Sequence, residues 1–400
     1  MSIHIPQRIL VAPSGFKESL DAETVARAIA AGVRRIIPGV QVDEFPIPDG
    51  GEGTAAALAA ATGGELVPVV VSGPVGDPVA AHYALLGGSS RGTAVVEMAA
   101  AGGLRLVPRD RRDPGATSTY GVGELIVAAL DGGAERIIVG CGDSGTSDGG
   151  AGALEALGVR ILDRDGTALP RGGRHLIDAA SLDLGGLHPR AADVEIVLAC
   201  NIHNVLCGPR GVARVFGPQK GASPEGVERL STALDAWADV LERHSPHGGR
   251  MDVRTGPGSG ASGGLGAGLA AVLGARLAPR FEVLLDGDLL PQSLDDLMSR
   301  ADLVITAEGA IDFQTPRGKV PAEVAMRARI AGVPVLGIAG SLGEGAPAVH
   351  DIGIGAIASI LTVPMRLEQA VEQGEQLLRD AAERSMRLVL LGSALAARAA

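Results

Sequence analysis

The 400-residue chain is predicted to be an α/β protein of two domains: a flavodoxin- or Rossmann-like parallel-sheet domain with a second, mixed α/β domain inserted into it. Three observations lead there. Short β-branched runs near both ends of the chain pass through Gly-rich loops into helical patterns, the alternation of a parallel sheet covered on both faces. The middle of the chain breaks that alternation with runs joined by tight turns. The length also exceeds what one hydrophobic core ordinarily fills.

The elements follow in order. "RILVAP" reads as a strand that leads through "SGFKESLDAE" into a helix, "TVARAIAAGVRRII", where Val25, Ile29, Val33 and Ile36 recur every three or four positions. "QVDEFPI" leads through "PDGGEGT" into an alanine-rich helix. "ELVPVVVSGPVGDPVAAHYALLGG" and "TAVVEMA" read as strands of a mixed sheet, followed by the helix "TYGVGELIVAALDGG" and the strands "RIIVGCG" and "VEIVLACNIHN". "SPEGVERLSTALDAWADVLERH" is an amphipathic helix, with Ser223 as cap, Pro224 first, and Val227, Leu230, Leu234, Trp237 and Leu241 on one face. "ADLVITAEG", a helix through "AEVAMRARIAG", "VPVLGIAG", "IGAIASI" and a long helix from about Leu367 complete the first domain. That domain takes residues 1–66 and 290–400, and the insert takes 67–289. An active site is expected in the cleft between them, near the carboxyl ends of the strands.

Composition narrows the function. Hydrophobic residues make up 46% and aromatics 2%, so the core is built from Ala, Val, Leu and Ile through many small contacts. A formal net charge of -11 argues against nucleic acid or an anionic membrane as partner. Three cysteines without a disulfide spacing fit the reducing cytoplasm. The apolar run after the first methionine is too short for a signal segment, and "LVLLGSALAA" is too short to span a bilayer. The sequence admits a homodimer.

Three Gly-rich loops precede Ala/Leu helices. "DGGEGTAAAL" and "GDSGTSDGGAGALEAL" share Asp-Gly-Gly-x-Gly, at Asp49 and Asp148. An acid at a helix start is stabilised by the helix dipole, so capping explains one such residue. It explains less well Asp49, Glu52 and Asp148 together among glycines that expose them. The third loop, "PGSGASGGLGAGL", has hydroxyls and no acid, and is the strongest anion cradle, through Gly258, Ser259, Gly260, Ser262 and Gly263. Its alternative is close helix packing through small residues. No P-loop pattern occurs. In "AEGAIDFQTPRGK" Glu308 and Asp312 lie four apart just past a strand, with Lys319 in the same loop, a set suited to Mg²⁺ and phosphate. Lys17 holds the matching place after the first strand and suits a carboxylate or phosphate oxygen. Lys220 is a cation suited to a phosphate, and His203 is either a base or an ordinary loop histidine.

Together these segments resemble the bacterial type I glycerate kinase family (glycerate 2-kinase). "FKESL", "DGGEGT", "TYGVGELI", "SDGGAGALEALG", "GPRGVARVFGPQKGA", "GSGASGGLGAGL", "EGAIDFQT" and "GK" stand in the family's order over nearly the whole chain. The resemblance implies a two-domain kinase that uses ATP and Mg²⁺ to phosphorylate glycerate, generally at the 2-hydroxyl. It implies Asp49, Glu52, Asp148 and Asp312 in catalysis, with Asn201 or His203 in the place of the family's base, Glu308 and Asp312 at the metal, Lys17 and Asp49 on the substrate, and Lys220, Lys319 and the Gly258–Gly263 loop on phosphates. Several departures bear on chemistry: Ser14 stands where the family has an acid, Ala310 where it has an arginine, and Ser147 where it has an asparagine. "CNIHNVL" stands where the family reads "CDVDNPL", so Asn201 and His203 replace two acids, and Asn201 cannot take a proton. That leaves two other readings open: a kinase for a different sugar acid or hydroxy-ketone, and a catalytically weakened homologue that binds a metabolite or partner.

Overall fold

The computed structural model describes residues 5–16, 19–286 and 289–399. The strands in chain order are β1 (Arg8–Val11), β2 (Gln41–Glu44), β3 (Glu65–Ser72), β4 (Pro78–Leu85), β5 (Thr93–Glu97), β6 (Arg136–Gly140), β7 (Arg160–Leu162), β8 (Ser181–Asp183), β9 (Glu195–Cys200), β10 (Arg276–Pro279), β11 (Leu303–Ile311), β12 (Val335–Leu342) and β13 (Ile354–Ser359). The chain divides into two compact units, residues 1–48 with 292–400, and residues 49–291.

The unit made from the chain ends holds a sheet of order β13-β12-β11-β1-β2 with every neighbour pair parallel. Counted within the unit this is the doubly wound order 2-1-3-4-5, whose direction reverses between β1 and β11. Strands Ile9–Val11 and Val304–Ala307 are fully or nearly fully buried, as parallel strands covered on both faces must be. The Ala22–Ile36 helix starts at Asp21, whose carboxylate accepts the Thr24 N–H at 2.7 Å, and buries Val25, Ile29 and Val33. It crosses the Gly374–Ala399 helix closely: a Cβ on Gly32 would lie 2.2 Å from the Arg379 carbonyl oxygen. The long final helix expected from Leu367 is two, Leu367–Glu372 and Gly374–Ala399, separated at Gln373.

The second unit holds a mixed sheet of order β10-β9-β6-β5-β4-β3. β5, β6, β9 and β10 are parallel, while β3, β4 and β5 form an antiparallel meander. β7 and β8 make a separate antiparallel pair. The Pro224–His244 helix has Ser223 accepting the Gly226 N–H and buries all five residues of its predicted face. Trp237 is fully buried and donates its indole N–H to the Gly149 carbonyl at 3.0 Å. The break between units falls before Asp49 and not after residue 66. The Thr54–Thr62 helix explains this, because its Ala55, Leu58 and Ala59 pack against Ala84, Val95, Ile138 and Val197 of the second sheet. Among the described residues no helix is long and apolar enough to cross a membrane.

Candidate active site

In the second unit the parallel strands end level with one another. Glu97 pairs with Gly140, Gly140 with Ala199, and Cys200 with Pro279, so Glu97, Cys141, Asn201 and Arg280 lie along one carboxyl edge. The "DGGEGT" loop lies over this edge. Gly142 donates its N–H to the Gly50 carbonyl at 2.8 Å. Gly50 has φ +81°, and a Cβ there would come 3.3 Å from both the Ala199 oxygen and the Cys141 nitrogen, so only glycine lets the loop descend this far. Asp49 is half-buried and accepts the Gly51 N–H at 2.9 Å, an Asx turn. Glu52 is exposed and pairs with Arg105 at 3.0 Å. The Arg280 guanidinium lies 3.4 Å from the Asp49 carbonyl oxygen. Asp143 adopts φ +54°, a left-handed conformation uncommon outside glycine, and its carboxylate lies beside Gly51.

Glu97, Asp143, Arg105 and Arg280 were not expected from the sequence. Three of them end or closely follow "TAVVE", "RIIVG" and "RLAP", so a search for polar residues at strand ends finds them. Arg105 carries no such signal. Glu97 is 2% exposed and accepts the Ala55 N–H at 2.6 Å. Burial pushes its carboxyl up to about 7, with the N–H groups of Ala55 and Gly53 holding it down and the Glu52 and Asp49 charges adding to the rise. The acid at the start of the Thr54–Thr62 helix is the protein's own.

Asn201 turns its Oδ1 onto the backbone N–H of His203 at 3.0 Å, and His203 is exposed. Burial raises the Cys200 thiol to about 11 and Cys207 further, so neither is a ready thiolate. Among the described residues no group of three or more His, Cys, Asp or Glu could hold a metal ion.

Asp148 and the third Gly-rich loop depart from expectation. Asp148 is fully buried and accepts the N–H groups of Thr119 (2.7 Å), Gly150 and Gly152 (3.2 Å each) and the Thr119 hydroxyl (2.9 Å). It ties the starts of the Tyr120–Asp131 and Ala151–Ala156 helices together and presents no oxygen to a substrate. Burial raises its carboxyl against the pull of those donors. Gly258, Ser259, Gly260, Ser262 and Gly263 are all buried, and protein fills the room their missing side chains leave. A Cβ would meet the Cys200 sulfur at 3.0 Å from Gly258, the Val205 oxygen at 2.3 Å from Gly260, and the Thr146 oxygen at 2.1 Å from Gly263. The Ser259 hydroxyl accepts the Leu206 N–H at 3.1 Å. Ser262, Gly263 and Gly264 are successively left-handed, with φ +51°, +71° and +97°, so the regular helix begins after them. This loop is a site of close backbone crossing.

Lys220 is likewise engaged. It is 3% exposed and donates to the Thr146 carbonyl at 2.6 Å and the Ser144 hydroxyl at 2.9 Å, bracing the loop that crosses Gly263. Burial lowers its ammonium to about 7, against the raising effect of Asp148. A base with a folded value near 7 and an unfolded value near 10.5 leaves the unfolded chain holding the extra proton between them. Stability from this group is present above the upper value and is lost as pH falls through the lower one. Wild-type stability relative to Lys220→Met is therefore expected to rise with pH across that window in urea titrations; parallel curves would remove the buried ammonium from the account.

In the first unit Glu308 lies within β11, not past its end as the sequence suggests, and Asp312 directly follows the strand at the switch point beside β1, where Ser14 donates its N–H to the Ala307 oxygen at 2.9 Å. The Lys319 ammonium lies 3.1 Å from Glu308 and 3.5 Å from Asp312, and the Thr315 hydroxyl donates to Glu308 at 3.3 Å. Burial raises the Glu308 carboxyl, with Lys319 pulling it back. Two half-buried carboxylates already share one cation here, so the donor set suits a hard divalent ion completed by water or phosphate oxygens. Gly318 has φ +91° and open space on its Cβ side, just before the Val320–Ala331 helix. Lys17 lies outside the described residues.

Doubly wound α/β architecture with acids and cations at strand carboxyl ends defines an enzyme acting on a small polar molecule. The chain belongs to the glycerate kinase family, whose model matches residues 9–390. It is 46% identical over 374 residues to a glycerate kinase of Halalkalibacterium halodurans, covering 94% of this chain and 96% of that one. It is 44% identical to the glycerate 2-kinase of Escherichia coli, covering 91% and 93%. A crystal structure of a candidate glycerate kinase 2 from Salmonella typhimurium LT2 superposes with a TM-score of 0.77 at 43% identity, covering 97% and 99%.

Proposed function

We propose that this protein transfers the terminal phosphoryl group of ATP to the 2-hydroxyl of glycerate, in the cytoplasm, with Mg²⁺ as the metal. The observation that carries the reading is the "DGGEGT" loop on the carboxyl edge of the second sheet. It offers acids for a hydroxyl, Asp49 and Glu52, beside cations for a carboxylate, Arg105 and Arg280. The Escherichia coli relative's name supports the 2-hydroxyl.

In this reading Asp49 positions the acceptor hydroxyl and takes its proton, with Glu52 beside it. Arg280 suits the substrate carboxylate, since a planar guanidinium matches a carboxylate, and Lys17 is proposed from the sequence alone as a further substrate cation. Glu308 and Asp312 would hold the divalent ion, which supplies charge neutralisation at the phosphates. Lys319, shared by the same acids, takes a phosphate oxygen. Asp148 and Lys220 act through the loops they brace. Most of the rate gain comes from positioning and charge neutralisation, which phosphoryl transfer chiefly needs.

A second reading, a different hydroxy-acid acceptor, is favoured by exposed His203 and by Asn201, which has no proton-accepting oxygen. The test is turnover of Mg-ATP with D-glycerate, L-glycerate and a panel of sugar acids, with the phosphorylated position identified by phosphorus NMR. Expected is 2-phosphoglycerate from one glycerate enantiomer, abolished by chelator and restored by Mg²⁺. Turnover only with other acceptors would move the assignment to the second reading. No turnover in folded, ATP-binding protein would point to a binding role instead.

A further inference from the structure

The Thr54–Thr62 helix has no cap of its own. Its N-cap is Gly53, at φ +90° with no side chain, and no acid stands in its first turn. The polar group that closes this end comes from β5, where Glu97 accepts the Ala55 N–H from 42 residues away. Asp49, Gly50 and Glu52 lie immediately before that junction, and the Gly50 N–H is held by the Thr54 hydroxyl at 3.0 Å. The geometry points to Glu97 as a positioning residue for phosphoryl transfer: it fixes the Asp49–Glu52 loop on the sheet edge from below and sets the charge against which those two carboxylates work. This inference rests on the reading that the loop belongs to the active site.

The physical case has three parts. A carboxylate with a side chain 2% exposed and a 2.6 Å hydrogen bond is rigidly placed, so the N–H groups it receives are rigidly placed too. A helix N-terminus carries about half a positive charge, which the internal anion neutralises, leaving no attraction there for a phosphate. Its own charge is repelled by Asp49 and Glu52, which adds to the rise that burial imposes on it. The other charged groups nearby are Arg105, paired with Glu52, and His82 on β4, held below its usual value by burial first and by Arg105 second.

The test compares Glu97→Gln and Glu97→Ala with wild type and with Asp49→Asn and Glu52→Gln. Each is checked for fold by circular dichroism and thermal melting. Gln keeps an oxygen for the Ala55 N–H but never carries charge, whereas Ala leaves the cap empty. In folded Glu97→Ala, kcat is expected to fall at least about 30-fold with the KM for ATP unchanged, and Gln to restore part of it. Wild-type kcat should fall as pH drops through about 7, on a limb that Glu97→Gln lacks, so the two profiles converge on the acid side. An unchanged limb in Glu97→Gln, or Glu97→Ala within threefold of wild type, overturns the inference. If Glu97→Ala does not fold, the Gln profile decides alone. If Asp49→Asn and Glu52→Gln both turn over normally, the loop is outside the site and both readings fall. Loss in those two with none at Glu97 overturns this inference only.

Discussion

Asp49→Asn is expected to lower kcat by about 10²–10⁴-fold, the range for removing a general base, while the melting temperature scarcely moves. The structural half follows from what Asp49 does for the fold. Its Oδ1 accepts one N–H, from Gly51 at 2.9 Å, and an asparagine oxygen accepts the same bond. What Asn cannot do is take a proton or carry charge toward an acceptor hydroxyl. Steady-state kinetics with saturating glycerate and Mg-ATP, alongside a thermal melt, separate the two functions. Wild-type kinetics would reduce Asp49 to a turn-former and leave Glu52 or His203 as the group that handles the proton.

Gly263→Ala is expected to cost roughly 2–6 kcal/mol of folding stability. A non-glycine residue in the left-handed region costs about 1–3 kcal/mol, and forcing a methyl into a filled space costs about 1–3 more. Both apply, since Gly263 has φ +71° and its Cβ would lie 2.1 Å from the Thr146 oxygen and 2.8 Å from the Ser147 Cα. Neither neighbour can swing aside, because both are main chain. The backbone bond from the Gly149 N–H to the Gly263 oxygen, at 3.0 Å, would stretch as well. Urea unfolding measures the loss. A variant as stable as wild type that no longer binds ATP would instead return this loop to phosphate binding.

That contrast shows where the sequence is readable. Apolar spacing placed the Ser223-capped helix and its face, because period and cap chemistry are local. The five strands of the first unit were equally visible as β-branched runs ahead of Gly-rich loops. The packing of the "GSGASGG" segment is not legible in the sequence, because a glycine that admits a ligand and one that admits another backbone satisfy the same requirement, the lack of a Cβ. Which occupant fills the space is decided by residues such as Thr146 and Val205, far along the chain. The burial of Lys220 and Asp148 is hidden for a related reason: a buried ion and a solvent-facing one have the same letter. Glu97 was passed over because "TAVVEMA" reads as a strand end running into alanines, and its partner, an uncapped helix, precedes it by some forty residues.

The borrowed cap also has a consequence for how the molecule assembles. The Thr54–Thr62 helix is nine residues long with glycine at both ends, too short to persist alone in water. In the nascent chain it is made before β5, so its closing carboxylate does not yet exist when the helix residues emerge. Closure waits on β5 entering the sheet, a non-local event of the kind that is slow relative to helix formation. The acids of the "DGGEGT" loop therefore gain their geometry late, after the sheet edge beneath them, and partly folded forms lacking β5 would hold the right residues without a working arrangement of them.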